Sequence, residues 1–362
     1  MEAMIDWSLA GQIARGISGL QPSGDPAPYR EVAGPAEESE RLVSAYTGLV
    51  ADGPLPVAEA VDRGQWIDAN LGSMRGVLEP AVEKARSRMG ILGGAASGIL
   101  AAEAGAISGF LGGRVLGQYE FPVLDPDQPA RLLFVAPNLA HAGDQLEADS
   151  DQLLRWVALH ETTHALQFGG VPWLRAYLAG LVQELLDGLD VQAGGLFDFK
   201  LPDLSRFADL SKLTDMSRLR ELGDELKEGG LISFGLSPER KDLLERAQSF
   251  MALLEGYAEH VMDAVGADLL EDLPSMRSAL ERRRREKSGF LRLLERLIGM
   301  DLKMRQYEQG KAFCDAVVRL GGIEALNRAW TGAEALPTSA ELDDALAWLA
   351  RTERLGLGPR TA

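Results

Sequence analysis

The sequence predicts a mainly α fold of the α+β class, in which a small β-sheet or hairpin precedes one chemically loaded helix. Three observations carry this. Long stretches repeat apolar residues at helical spacing between Gly, Pro and acidic breaks. Two short runs, residues 118–124 and 131–139, have strand length and strand-like apolar patterning. Soon after them comes Leu159-His160-Glu161-Thr162-Thr163-His164-Ala165-Leu166, a His-Glu-x-x-His pattern in an apolar helical frame.

Taken in order, residues 5–20 read as an amphipathic helix with Ile5, Trp7, Leu9, Ile13 and Ile17 apolar. Residues 22–35, rich in Pro, Gly and acidic side chains, read as a loop. Residues 37–49, 57–70 and 74–89 are expected to be helical, with Trp66 and Ile67 facing inward. Residues 89–113 carry Glu103 as their only charge and are long enough to span a bilayer. Large apolar side chains are sparse there, and a Glu near the centre would cost about 2.5–3.5 kcal/mol in lipid if it behaves like Asp. Glycines at four-residue spacing (Gly90, Gly94, Gly98 and Gly105, Gly109, Gly113) point instead to a buried helix that others approach closely.

In residues 118–124, Tyr119, Phe121 and Val123 alternate with Gln118, Glu120 and Pro122. If Pro122 lies within that strand, the strand belongs at a sheet edge, where it is expected to position an extended substrate. A turn at Asp125-Pro126-Asp127 leads into the second strand. The motif helix is expected to start near Asp149-Ser150-Asp151 and to end at Gly169-Gly170. Pro172 begins the next helix. Residues 203–228 read as a charged, solvated helix, and Ser237-Pro238-Glu239 starts a helix that runs through Glu255. Further helices follow at 290–298, 301–320, 322–330 and 339–353.

Composition bounds the function classes. The 362 residues are 46% hydrophobic, enough for one large or two ordinary domains. Residues 1–117 are expected to form a helical region packed on a core built by 118–362. The net charge of -17 disfavours nucleic acid and anionic membranes as partners. The basic run Arg282-Arg283-Arg284-Arg285 is therefore read as a surface helix. Cys314 is the only cysteine, so no intrachain disulfide forms. The N-terminal residues lack the basic and apolar regions of a signal peptide, so the expected location is cytoplasmic. The oligomeric state has no signal in the sequence.

Two imidazoles four residues apart sit one helical turn apart on one face, so both can reach one metal ion. Only 4 His occur in the chain, and two fall in this motif; a chance match is correspondingly rare. Both sit among apolar residues, where unpartnered imidazoles would be costly and a metal would relieve that cost. Glu161 is placed to take a proton from a water at the metal. A hydrolytic zinc site needs a third protein ligand. The best source is the stretch Leu253-Leu254-Glu255-Gly256-Tyr257-Ala258-Glu259-His260, where Glu255 and Glu259 share a helix face. One can bind metal while the other accepts a hydrogen bond from a ligand imidazole. His260 lies about 100° further round the helix. Metzincin spacing is excluded, because Gln167 and Gly170 stand where it needs Gly and His.

His-Glu-x-x-His followed by Glu255-Gly256-Tyr257-Ala258-Glu259 resembles the gluzincin type of zinc metallopeptidase. That resemblance implies Glu255 as the third zinc ligand and Glu259 as the acid that supports a ligand His. The sequence departs from the type in having Leu254 rather than Asn before Glu255, and a longer interval after His164. A closer resemblance, over most of the chain, is to a poorly characterised family common in actinobacteria, described as zinc-dependent metalloproteases or hydrolases. Some of its members are associated with deazaflavin-cofactor biosynthesis. It rests on Val115-Leu116-Gly117-Gln118-Tyr119, Leu133-Phe134-Val135-Ala136-Pro137-Asn138, the motif with Val171-Pro172-Trp173-Leu174-Arg175, and Asp301-Leu302-Lys303-Met304-Arg305-Gln306-Tyr307-Glu308. These resemblances imply a zincin-like core holding one Zn²⁺ per chain and acting on a peptide or a small amide. An oxyanion donor is expected among Tyr257, His260, Tyr177 and Arg305. Two rival readings remain: a small-molecule amide or ester hydrolase using the same site, and a non-catalytic helical scaffold with a structural metal. The presence of Glu161 counts against the scaffold, which needs the two His but no base.

Overall fold

Central strand β3 (Arg131–Val135) is apolar at nearly every position because both of its faces are covered. In the computed structural model, which describes residues 5–89, 93–125, 128–187, 238–269 and 300–356, Leu132 and Phe134 point into one core and Leu133 and Val135 into another. Strands β1 (Ala58–Val61) and β2 (Gly117–Glu120) flank β3 in a sheet of order β1-β3-β2. The rest of the described chain is mostly helical, so the fold is mainly α with a small sheet.

Strand β1 replaces the start of the helix expected from residue 57. Its short Ala-Glu-Ala-Val sequence has no strand signature of its own. Parallel pairing with β3, from Ala58↔Leu132 to Val61↔Val135, makes it a strand. Asp62 then caps α3 (Arg63–Met89). The Gln65 N–H donates to Asp62 Oδ1 and the Asp62 N–H to Gln65 Oε1, each at 2.8 Å.

The smaller core is built by α1 (Trp7–Gly19), α3 and α4 (Gly93–Gly112). Close approach of α1 and α4 depends on small residues. A Cβ at Gly105 would lie 2.6 Å from Ala10 O, and one at Gly109 would lie 2.6 Å from Ala14 O. Glu103 is buried in this helix, and burial pushes its carboxyl up. Among the described residues no helix is long and apolar enough to cross a membrane.

Strand β2 pairs antiparallel with β3, from Gly117↔Phe134 to Glu120↔Arg131, and forms the sheet edge. It stops before Pro122, so the proline lies just beyond the strand. The second strand is shorter than expected: Pro137 sits in the first turn of α5 (Ala136–Leu146), where its missing N–H costs nothing. Buried Asn138 fixes the junction, donating to Gly112 O at 2.9 Å and Val115 O at 2.7 Å and accepting from Arg63 Nε at 2.6 Å.

The larger core gathers α2 (Ala33–Thr47), α6 (Ser150–Gly170), α8 (Pro238–Leu269) and α9 (Met300–Leu326). Helix α7 (Leu174–Asp187) packs on α8. The short helices α10 (Ser339–Leu342) and α11 (Ala345–Arg354) close the described chain. Asp149 caps α6, accepting from the Asp151 and Gln152 N–H groups at 3.0 Å. The charged stretch 203–228 and the Arg282 to Arg285 run lie outside the described residues, as does the Arg305 side chain.

Candidate metal centre

Helix α6 is buried along most of its length, and its His160 and His164 face α8. The two Nε2 atoms are 3.2 Å apart. Glu255 Oε2 lies 3.5 Å from His160 Nε2 and 3.7 Å from His164 Nε2. Among the described residues this is the group of His, Cys, Asp or Glu side chains whose ligand atoms converge as a metal site, all within 4.8 Å of one another. Tetrahedral zinc with bonds of about 2.0–2.1 Å would set its ligand atoms ~3.3–3.4 Å apart. The three residues therefore fit zinc.

The other ring nitrogens explain why both Nε2 atoms turn to the centre. His164 Nδ1 is 2.9 Å from Gln167 Oε1, and His160 Nδ1 is 3.1 Å from Met262 Sδ. Carbonyl oxygen and thioether sulfur are acceptors, so in the neutral, metal-binding form of each ring the partners favour the proton on Nδ1. Each Nε2 then presents a lone pair. Fully buried Gln167 also donates through Nε2 to Leu254 O at 3.3 Å. It thus ties His164 to the residue before Glu255. Glu259, expected in this supporting role, adds its charge to the field at His160. The ring contacts go to Gln167, which reaches His164 within its own helix, and to Met262 from α8. Gln167 was legible only as a polar residue three positions after a ligand, the spacing of neighbours on a helix.

Glu161 is buried, and its Oε2 accepts from the Tyr119 N–H at 2.9 Å. Strand β2 comes this close to α6 because of Gly117: a Cβ there would lie 2.7 Å from Glu161 Cγ and 2.8 Å from Val157 Cγ1. The Tyr119 N–H points away from β3, on the outer side of the sheet, so Glu161 takes up that main-chain donor of the edge strand. Of the expected oxyanion donors, Tyr257, His260 and Tyr177 are described. Tyr257 is buried and donates to Asn327 Oδ1 at 2.8 Å. His260 lies between the Tyr46 hydroxyl at 2.8 Å and Asp315 Oδ1 at 2.7 Å. Tyr177 packs edge-on against Trp173 and Phe250.

The triad is also an electrostatic unit. Burial pulls the His160 imidazole down, but the hydrogen bond to Glu255 and the charges of Glu161, Glu255 and Glu259 outweigh it and raise the value to about 9. Burial pushes Glu255 up, yet the His164 charge and hydrogen bonds to both imidazoles hold it well below the usual carboxylate range. The His160 contribution to stability is therefore fully present below its unfolded value of 6.5 and is lost as pH rises through about 9. The Glu255 contribution is present above its unfolded value of 4.5 and is lost as pH falls. Zinc needs neutral imidazoles, so its stabilisation grows across the upper window. Thermal unfolding of chelator-treated protein should fall between pH 6.5 and 9, and the gain on adding zinc should widen over the same range. Parallel curves with and without zinc would contradict this coupling.

A mainly helical fold that sets a His-Glu-x-x-His helix beside a sheet edge, with a carboxylate from a second helix, has the layout of a zinc-dependent hydrolase. The model of a family described as zincin-like metallopeptidase matches residues 5–349, and the chain belongs to that family. Zinc is the metal the family implies for this centre. The fold is also similar to the crystal structure of "a putative hydrolase with a novel fold" from Chloroflexus aurantiacus. Its TM-score is 0.70 at 29% identity, over 97% of this chain and 99% of that one. No curated protein matches the sequence.

Proposed function

We propose that this protein is a metallopeptidase in which His160, His164 and Glu255 hold one zinc ion and Glu161 is the general base. One observation carries the reading: the three donor atoms converge within 4.8 Å while the next residue of the motif, Glu161, is bonded to the sheet-edge N–H of Tyr119. Zinc bound there would supply a Lewis acid that polarises a carbonyl and acidifies water. The Tyr119 N–H orients the Glu161 carboxylate through Oε2 and leaves Oε1 to take a proton from water and return it to the leaving amine. Gln167 and Met262 hold the imidazoles with their lone pairs inward. The outer edge of β2, whose Tyr119 N–H is taken by Glu161, offers its remaining main-chain groups to an extended peptide, a use that favours peptide over a small amide or ester. A purely structural metal would have no use for a buried carboxylate held on a strand edge. The test is hydrolysis of a mixed peptide pool by zinc-loaded protein, with new termini read by mass spectrometry and Glu161→Gln as control. A zinc-loaded wild type that cleaves nothing the control leaves intact would overturn the proposal.

A further inference from the structure

Just past the metal helix lies a pocket of about 320 Å³, lined in part by Leu55, Pro56, Tyr119, Ala130, Gly169 and Arg175. It adjoins the centre in two ways. Tyr119, which lines it, also holds Glu161 through its N–H. Gly169 is five residues beyond His164 on α6, about 7.5 Å along the axis. An extended chain advances by about 3.3 Å per residue, so the pocket is within two or three residues of a bond held at the metal.

Arg175 is the unusual member of that lining. Its guanidinium lies over the Phe121 ring, 4.7 Å from the centroid. Phe121 packs on Phe168 at 4.6 Å, and Tyr119 stacks on Phe168 at 6.2 Å, so the cation rests against an aromatic wall. Nη2 is shielded from solvent and has no hydrogen-bond partner, and among the described residues no carboxylate pairs with the group. Other arginines of the described chain do find acids: Arg131 with Glu59, Arg246 with Glu184 and Arg351 with Glu341. In a chain of net charge -17, an arginine with a shielded nitrogen and no counter-charge among the described residues is out of pattern. A cation without a partner is costly in a partly buried site, and an incoming anion removes that cost. Guanidinium presents a planar fork of donors that matches a carboxylate.

We propose that Arg175 and the pocket beside Tyr119 form a substrate subsite for a carboxylate, carried by a peptide docked along the edge of β2. The carboxylate comes from an Asp or Glu side chain or from the peptide's own C-terminus; both offer the same two oxygens to the fork. The proposal rests on the peptidase reading for its substrate, but its chemistry can be tested without turnover.

The probes are pools of blocked hexapeptides in which one position in turn carries Asp or, in its place, Asn. A third pool replaces the blocked end of the Asn peptides with a free C-terminal carboxylate. Each is passed over immobilised, zinc-loaded Glu161→Gln protein, and retention is quantified by mass spectrometry. Asp peptides with the acid at one preferred position, or the free-acid peptides, should be retained at least about tenfold better than the neutral pool, as expected for a charge-assisted hydrogen-bonded pair. Which of the two carries the gain identifies the source of the carboxylate. Adding Arg175→Gln should abolish the difference while leaving neutral peptides within about twofold. Arg175→Lys, which keeps the charge and loses the fork, should retain part of it. Unchanged zinc content in both variants shows that the fold has survived.

Equal retention of all pools, no retention of any, or discrimination that survives Arg175→Gln in zinc-loaded protein would overturn the subsite. Failure of the peptidase reading looks different. In that case the wild type cleaves none of the peptides, while discrimination by Arg175 persists.

Discussion

Glu161→Gln is expected to keep zinc bound and to lower peptide hydrolysis by about 10²–10⁴-fold, the usual range for removing a general base. Glu161 is not among the three converging donors, so the metal should stay. The amide oxygen of Gln can still accept from the Tyr119 N–H, so β2 should keep its place on α6. What the amide cannot do is take a proton from water. The contrast is with His164→Ala, which removes a donor and should lose metal and activity together. Cleavage rates on one peptide, measured beside zinc content, separate the two effects. A Glu161→Gln rate within about threefold of wild type would remove Glu161 from the chemistry.

Gly310→Ala should disrupt the metal centre from a distance. Helices α8 and α9 cross with almost no space between their backbones. A Cβ on Gly310 would lie 2.6 Å from the Ala252 carbonyl carbon and closer still to its oxygen. A Cβ on Gly256 would lie 2.6 Å from Lys311 N. Both neighbours are backbone, so no side chain can swing aside, and the helices must separate. Glu255 precedes Gly256, so any such movement shifts its carboxylate relative to α6. Overpacking of this kind costs about 1–3 kcal/mol or more. The expected result is a lower unfolding temperature together with weaker zinc binding. A variant with native stability and full zinc occupancy would contradict the tight crossing.

The parts of the site written locally in the chain were legible; those set by distant packing were not. His160, Glu161 and His164 lie within one and a half turns of one helix, so spacing alone brings them together. Glu255 and Glu259 were legible as a pair on one face, but spacing cannot say which carboxylate meets α6. The phase of α8 decides that, and the Gly256–Gly310 crossing sets the phase. Gln167 and Met262 hold the imidazoles because α6 and α8 meet where they do. The strand at residues 117–120 was legible from alternation, but its edge position was not, because Pro122, which would have marked it, falls beyond the strand. Its bond to Glu161 was not legible either, because it depends on the approach that Gly117 permits. In the fold, β1 escaped notice because Ala-Glu-Ala-Val becomes a strand only by pairing with β3 some seventy residues on. Conversely, the apolar run after β3 reads as continued strand but turns into α5 at Pro137. The glycine spacing guided the second half of α4, where Gly105 and Gly109 admit a neighbouring helix, whereas Gly98 has nothing within 4 Å.

The central claim is the ligand set, and metal content tests it most directly. Elemental mass spectrometry of purified protein, wild type beside His164→Ala, Glu255→Ala and Glu259→Ala, gives zinc per chain. The account predicts about one zinc in the wild type, loss in His164→Ala and Glu255→Ala, and retention with at most weaker binding in Glu259→Ala. A wild type that takes up no zinc, or a Glu255→Ala variant that keeps all of it, would contradict the account.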